Sequence, residues 1–275
     1  MAKLEQYLLP AALGAAALAV LSLGRRGGGK IGPGEPGASG PKGKGVFLRT
    51  YNHADSPEAM VSLLKSMGMR FVFLPVVWQK PDGKHRNFTK DQERFAAALK
   101  KAGIELWVWG WPEPAYAQEF VDAMMAAKDA TGARGIVVDA EGPFYGEDDA
   151  ARYIASALRT ELWALSSYGG GPRNHPGFPW EAFLDYGPVV GMPQLYATPG
   201  KYGEKYYARG VEDWAQIGYS DITPTLSGTD KHSPESMARE AWLTAQTGVG
   251  GISYWDYYWL ELSAARRAAV ASVTV

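Results

Sequence analysis

Cysteine is absent from the 275 residues, so no disulfide framework, thiol nucleophile or zinc–thiolate site is available. Histidine is scarce. Only His53, His85, His175 and His232 occur, no His-x-His pair closes a strand and no HExxH is found, which argues against a hydrolytic metal centre. Net charge is also lacking: 28 Lys plus Arg stand against 29 Asp plus Glu, giving −1 and no field suited to nucleic acid. No lysine closes a candidate strand, which argues against Schiff-base chemistry, and neither a metal nor a cofactor is expected.

What the chain does hold is aromatic. Ten Trp and 15 Tyr bring the aromatic share to 12%, high for an ordinary domain and typical of sugar or apolar ligand sites. The charge is unevenly distributed, because residues 1–44 carry six basic and two acidic side chains, leaving 22 against 27 for residues 45–275. A slightly acidic body therefore follows a basic arm.

Three segments are expected. The run from Tyr7 to Gly24 is 18 residues without a charge, about the minimum for a membrane-spanning helix, so residues 1–26 read as a membrane anchor, with a secretory signal peptide as the competitor. Arg25, Arg26 and Lys30 after the span favour the body on the cytoplasmic side, whereas a wall-active enzyme or a membrane-containing virion would suit an extracytoplasmic body better. Residues 27–44 hold eight Gly and three Pro and read as a flexible spacer. Within it, a Gly at every third residue from Gly34 to Gly40 is the collagen period, which would permit oligomerisation through the arm.

From residue 45 onward, short runs rich in Val, Ile, Phe, Tyr and Trp alternate with helical patterns. Eight candidate strands run over 46–50, 71–77, 105–109, 135–139, 162–166, 189–195, 222–226 and 251–255. Ser56-Pro57-Glu58 and Ser233-Pro234-Glu235 supply helix caps with a first-turn proline, and Gly68, Gly103, Gly132 and Gly248 close helices. Eight strand–helix units over about 230 residues predict an α/β (βα)8 TIM barrel across 45–275, with a doubly wound sheet as runner-up.

In such a barrel the chemistry gathers at the C-terminal strand ends. Asp139 and Glu141 close the fourth candidate strand, where residues two apart share a face. Paired carboxylates push their pKa values apart, so one can remain a general acid beside an ionised stabiliser, as glycosidic cleavage requires. Around them Trp78, Trp109, Trp111 and Trp255 are expected to stack on sugar rings, with Glu113, Gln194, Tyr196 and Asp256 as polar contacts. Trp107 and Trp163 alternate differently and read as packing. Ser227-Gly228-Thr229 is a weak phosphate candidate.

The run Gly135-Ile-Val-Val-Asp-Ala-Glu141, Tyr196 at the sixth strand and Gly250-Gly-Ile-Ser-Tyr-Trp255 at the eighth resemble barrel glycosidases of the lysozyme-type family 25 and the chitinase-type family 18. The resemblance implies Glu141 as catalytic acid, Asp139 as its supporter, and Tyr196 and Trp255 as sugar contacts. The chain also departs from the pattern. The chitinase-type Asp-x-x-Asp-x-Asp-x-Glu reads here Arg134, Val137, Asp139 and Glu141, and the first strand ends in Asn52 and His53 where lysozyme-type barrels place an Asp. The expectation is thus a membrane-tethered glycoside hydrolase, lysozyme-like, of a bacterium or phage. It would act on peptidoglycan or another N-acetylated polysaccharide; a silent carbohydrate-binding or structural virion barrel is the alternative.

Overall fold

The computed structural model describes residues 39–196, 203–219 and 221–275. Nine strands occur among them: β1 (Gly43–Phe47), β2 (Met69–Trp78), β3 (Arg86–Asn87), β4 (Glu105–Trp111), β5 (Gly135–Asp139), β6 (Trp163–Tyr168), β7 (Val190–Leu195), β8 (Thr225–Ser227) and β9 (Gly251–Trp255). All but β3 are parallel, in the order β1-β9-β8-β7-β6-β5-β4-β2, and β1 also pairs with β2. That last pairing closes the barrel and excludes the doubly wound sheet, which would leave two open edges. The short β3 folds back on β2 antiparallel, with Arg86 opposite Trp78.

The helices follow from local signals. Ser56 Oγ accepts from the Ala59 N–H and Ser233 Oγ from the Ser236 N–H, capping α1 (Pro57–Ser66) and the helix Pro234–Ala245. Gly132 ends the helix Ala117–Thr131 at φ 59°, a left-handed conformation that a side chain would strain. Between β6 and β7 the helical connection is reduced to four residues, Gly171–Asn174, and a single 3₁₀ turn at Ala182–Leu184.

The barrel interior is aromatic. Phe47, Phe71, Phe73, Trp107, Trp109, Val137 and Met192 pack there, while a larger aliphatic layer fills the space between strands and helices. Trp107 and Trp163 are buried, as expected. Room for these rings comes from small residues on the facing positions: a Cβ on Gly45 would lie 1.9 Å from the Phe71 ring and one on Gly135 2.4 Å from Trp107. Gly45→Ala is therefore expected to cost about 1–3 kcal/mol and lower the melting temperature by several degrees, read by thermal unfolding. An unchanged melting point would mean that Phe71 repacks freely.

Two expectations change here. The spacer of 27–44 ends early, since Gly43 and Lys44 already lie in β1; the Lys44 ammonium donates to the Val270 and Val273 carbonyls at 2.8 Å. Gly40 N–H also donates to Asp221 at 2.5 Å. Single-pass membrane localisation is corrected: among the described residues no helix is long and apolar enough to cross a membrane. Even the 15-residue helix Ala117–Thr131 reaches only about 22 Å at 1.5 Å per residue, short of a hydrocarbon core of about 30 Å. The run 7–24 that prompted the expectation, and the collagen-like triplets up to residue 38, lie outside the described residues.

Candidate active site

β5 carries Gly135, Val137 and Asp139 on its inward face, so Val137 packs among the interior aromatics and Asp139 emerges above it at the C-terminal rim. Glu141 follows at the start of the next turn, half-buried. The parallel register of β5, β6 and β7 then decides what meets this pair: Asp139 aligns with Ser166, Ser166 with Met192 and Tyr168 with Gln194. Gln194 reaches across. Its Nε2 donates to Asp139 Oδ1 at 2.8 Å, to Glu141 Oε1 at 2.8 Å and to Ser166 Oγ at 3.2 Å. One amide thus clasps both carboxylates.

The electrostatics match that geometry. Asp139, 4% exposed, is pushed well above the usual carboxylate range, chiefly by burial and next by the charge of Glu141; the hydrogen bonds from Ser166 and Gln194 oppose the shift. Glu141 is also raised by burial, again opposed by Gln194. Two carboxylates so close cannot both ionise cheaply, so the pair retains a proton to higher pH than either group would alone. Tyr196 is raised by burial and by the charges of Asp139, Glu141 and Asp256, which keeps its hydroxyl protonated beside all three. That hydroxyl makes no hydrogen bond among the described residues and is available as a donor.

A raised pKa favours the fold while the carboxyl is protonated, below the ordinary carboxylate range, and that contribution fades as pH rises through the folded value. The protein is therefore expected to lose stability from about pH 4 towards neutrality and Asp139→Asn to lose less. Each pKa unit corresponds to about 1.4 kcal/mol, or roughly 3–5 °C for a domain of this size. Equal slopes of melting temperature against pH in both proteins would remove Asp139 as the cause.

The tryptophans divide into two groups. Trp78 and Trp111 stack at 5.5 Å with 20° between planes, and with Trp255 they retain partial exposure at the rim. Trp109 does not. It is 1% exposed, meets Trp255 edge-on at 5.3 Å and spends its indole N–H on the Leu48 carbonyl at 3.0 Å, so it forms the floor under the groove. Asp256, expected as a substrate contact, is likewise withdrawn at 0% exposure, with Arg49 Nε 3.1 Å from its Oδ2. Its pKa is raised by burial and held down by Arg49. Glu113 is buried on the neighbouring loop, where its backbone N–H donates to Gln79 at 2.9 Å; burial raises its pKa and His85 opposes the shift.

The weak phosphate candidate at 227–229 fails for want of free groups. The Gly228 N–H is taken by the Trp255 carbonyl at 2.6 Å and the Thr229 N–H faces Ser227 Oγ at 3.4 Å, leaving no amide cradle for a phosphate. Among the described residues no cluster of acidic and histidine side chains is arranged to hold a metal. Sequence reasoning missed Arg49, which meets Asp256 only because closure sets β1 beside β9, and Ser166 with Tyr168, which share a face of β6 next to the pair.

By sequence, no protein-family profile and no curated protein matches the chain. Solved structures do match in fold. A class V chitinase from Pseudomonas fluorescens Pf-5 superposes with a TM-score of 0.61 over 84% of this chain and 99% of its own, at 10% identity. The chain has the fold of the chitinase-type glycoside hydrolase barrels. The spore cortex-lytic enzyme SleL of Bacillus cereus gives 0.57 at 11% identity, over 83% of this chain and 73% of its own. A tamarind chitinase-like lectin gives 0.55 at 13% identity, over 85% and 99%. In fold, these likenesses agree with the chitinase-type side of the resemblance; the lysozyme-type side is not shown.

Proposed function

We propose that this barrel is a glycoside hydrolase acting on polymeric N-acetylated glycans of the chitin or peptidoglycan kind, with Glu141 as general acid. The observation that carries the reading is the clasp: one Gln194 amide holds Asp139 and Glu141 together while burial keeps a proton on the pair. A half-buried carboxyl with a raised pKa beside an aromatic rim is what protonation of a glycosidic oxygen needs near neutral pH. The solved relatives in fold include a chitinase and a cortex-lytic enzyme, which agrees with that substrate class.

The position of the remaining carboxylates narrows the mechanism. A retaining glycosidase with a protein nucleophile needs a second carboxylate across the sugar ring from its acid. Asp139 is held to the same amide as Glu141, Asp256 is fully buried against Arg49, and Glu113 is buried beside Gln79 and His85. The substrate's own 2-acetamido oxygen then serves best as nucleophile. It bonds to C1 as the C1–O bond breaks and Glu141 gives its proton to the leaving oxygen; water then attacks C1, the bond from C1 to the acetamido oxygen breaks, and the Glu141 carboxylate takes the proton from that water. Asp139 supports the acetamido group and Tyr196 donates a hydrogen bond to it, while Trp78, Trp111 and Trp255 stack on the sugars. An aryl 2-acetamido sugar should accordingly outrun its 2-hydroxy analogue by about 10²-fold or more, because the analogue lacks the intramolecular nucleophile. Equal rates would exclude this mechanism. The reading itself is tested by release of reducing ends from chitin oligomers and from peptidoglycan by the full-length protein.

A second reading has one specific observation in its favour. The position two before Asp139, an Asp in the chitinase-type pattern, is Val137 in the apolar interior, so Asp139 has one carboxylate neighbour rather than two. A lectin is among the similar folds. Binding of these glycans without release of reducing ends would select it.

A further inference from the structure

Two guanidinium groups stand at a corner of the rim that the proposed reaction leaves unused. Phe47 of β1 packs in the barrel interior and the Leu48 N–H still donates to the Phe73 carbonyl at 3.0 Å, so the extended chain brings Arg49, two residues after Phe47, to the rim on the inward face. Around the barrel β1 lies between β9 and β2, which places Arg49 between the strands that end in Trp255 and Trp78. Its Nε is 3.1 Å from Oδ2 of the fully buried Asp256. The two terminal nitrogens make no hydrogen bond among the described residues, and the side chain is 38% exposed. Four N–H donors of this guanidinium are therefore unspent.

Arg86 comes to the same corner from β3, where it lies opposite Trp78. It is exposed, its guanidinium carbon is 5.1 Å from the centroid of the Phe88 ring, and it has no carboxylate partner among the described residues. Both arginines act on His53: burial first, then the charges of Arg49 and Arg86, lower its pKa. The imidazole is accordingly neutral near pH 7, and the positive charge of the corner is that of the arginines. His53 Nδ1 is buried without a hydrogen-bond partner, and its ring lies 4.5 Å from that of Tyr258. The loop between β2 and β3 adds Lys80 and Lys84 against Asp82 alone, in a body that carries 22 basic and 27 acidic side chains from residue 45 onward. An open guanidinium fork takes a carboxylate through two parallel hydrogen bonds, a contact that an uncharged sugar cannot match. Because Asp256 already holds Nε, the Arg49 side chain is ordered before any ligand arrives and binding costs little entropy.

We infer that Arg49 and Arg86, with His53 beside them, form an anion subsite for a carboxylate carried on the glycan, so that the groove favours an acidic N-acetylated polymer of the peptidoglycan kind over uncharged chitin. This rests on the proposed glycan reading and adds which of its two polymers is preferred.

Calorimetric titration of the full chain carrying Glu141→Gln, which lacks the transferable proton, tests it with three tetramers. One is N-acetylglucosamine alone, one alternates it with its 3-O-lactyl acid, and in the third the lactyl group carries a short stem peptide with its own carboxylates. At low salt an acidic tetramer is expected to bind about tenfold more tightly than the neutral one, the worth of a charge-assisted pair. Which acidic tetramer gains more tells whether the lactyl or the stem-peptide carboxylate is read. The preference should shrink as salt is raised to about 0.5 M, because the corner is open to solvent. Arg86→Gln, an exposed change that threatens no buried partner, should reduce the preference by about threefold. Arg49→Gln is made together with Asp256→Asn, so that no buried carboxylate is left unpaired, and should abolish it. Equal affinity for neutral and acidic tetramers, or a preference that neither arginine change reduces, overturns the anion subsite and leaves the glycan reading standing. No binding of any tetramer overturns the glycan reading and the subsite with it.

Discussion

Glu141→Gln is expected to lower the release of reducing ends by about 10²- to 10⁴-fold, the usual contribution of a general acid. The exchange keeps the shape and an acceptor oxygen for the Gln194 amide, so the clasp survives with Asp139 still bound at its other end. Only the transferable proton is lost. The electrostatic consequence for Asp139 is opposite in sign to the loss of activity. The charge of Glu141 helps to raise the Asp139 pKa, and its removal lowers that pKa and makes ionising the buried group cheaper. The variant should therefore melt at the same temperature as the parent or slightly above it near neutral pH, and less activity with equal or better stability is the combined signature. A variant that keeps more than a tenth of parental turnover would remove Glu141 from the acid role. One that loses activity and melts many degrees lower would show that the carboxyl serves the fold.

Much of this was legible in the sequence, and the reasons differ by element. The strands at 135–139 and 251–255 have the expected bounds because a glycine opens each and a rim carboxylate or tryptophan closes it. The seventh barrel strand was expected at 222–226 and forms only at Thr225–Ser227, since Pro224 lacks the N–H that an earlier start would need. The carboxylate pair could be read from a two-residue spacing on one strand. Its partners could not. Gln194 looked like one more polar contact for substrate, and only the relative register of three parallel strands turns its amide towards Asp139 and Glu141. Trp109 and Asp256 carried the right residue types at the right strand ends, yet exposure at a barrel rim depends on how deep each strand sits, which periodicity does not encode. The pairing of Arg49 with Asp256 joins the first barrel strand to the last and exists only once the cylinder has closed.

Replacing Gln194 by Leu should be the more informative of the two large effects. Leucine has nearly the same volume but no donor, so both carboxylates lose a hydrogen bond that stabilises their charged forms. Bonds to charged groups are worth about 1.5–3 kcal/mol, which corresponds to a loss of roughly 10- to 150-fold in turnover if the clasp is what positions Glu141. Geometry and charge can then be separated by the pH profile. Removing the amide raises the pKa of Glu141 further, so the general acid stays protonated to higher pH and the alkaline limb of activity moves upward. Stability follows the same sign: with Asp139 also raised, the folded state is favoured only at lower pH and the variant loses more on going to neutrality than the parent does. A side chain that merely touched substrate would raise KM and leave the limb in place. An alkaline limb that moves downward, or does not move, would show that Gln194 does not hold the pair, and the catalytic reading would then rest on Glu141 alone.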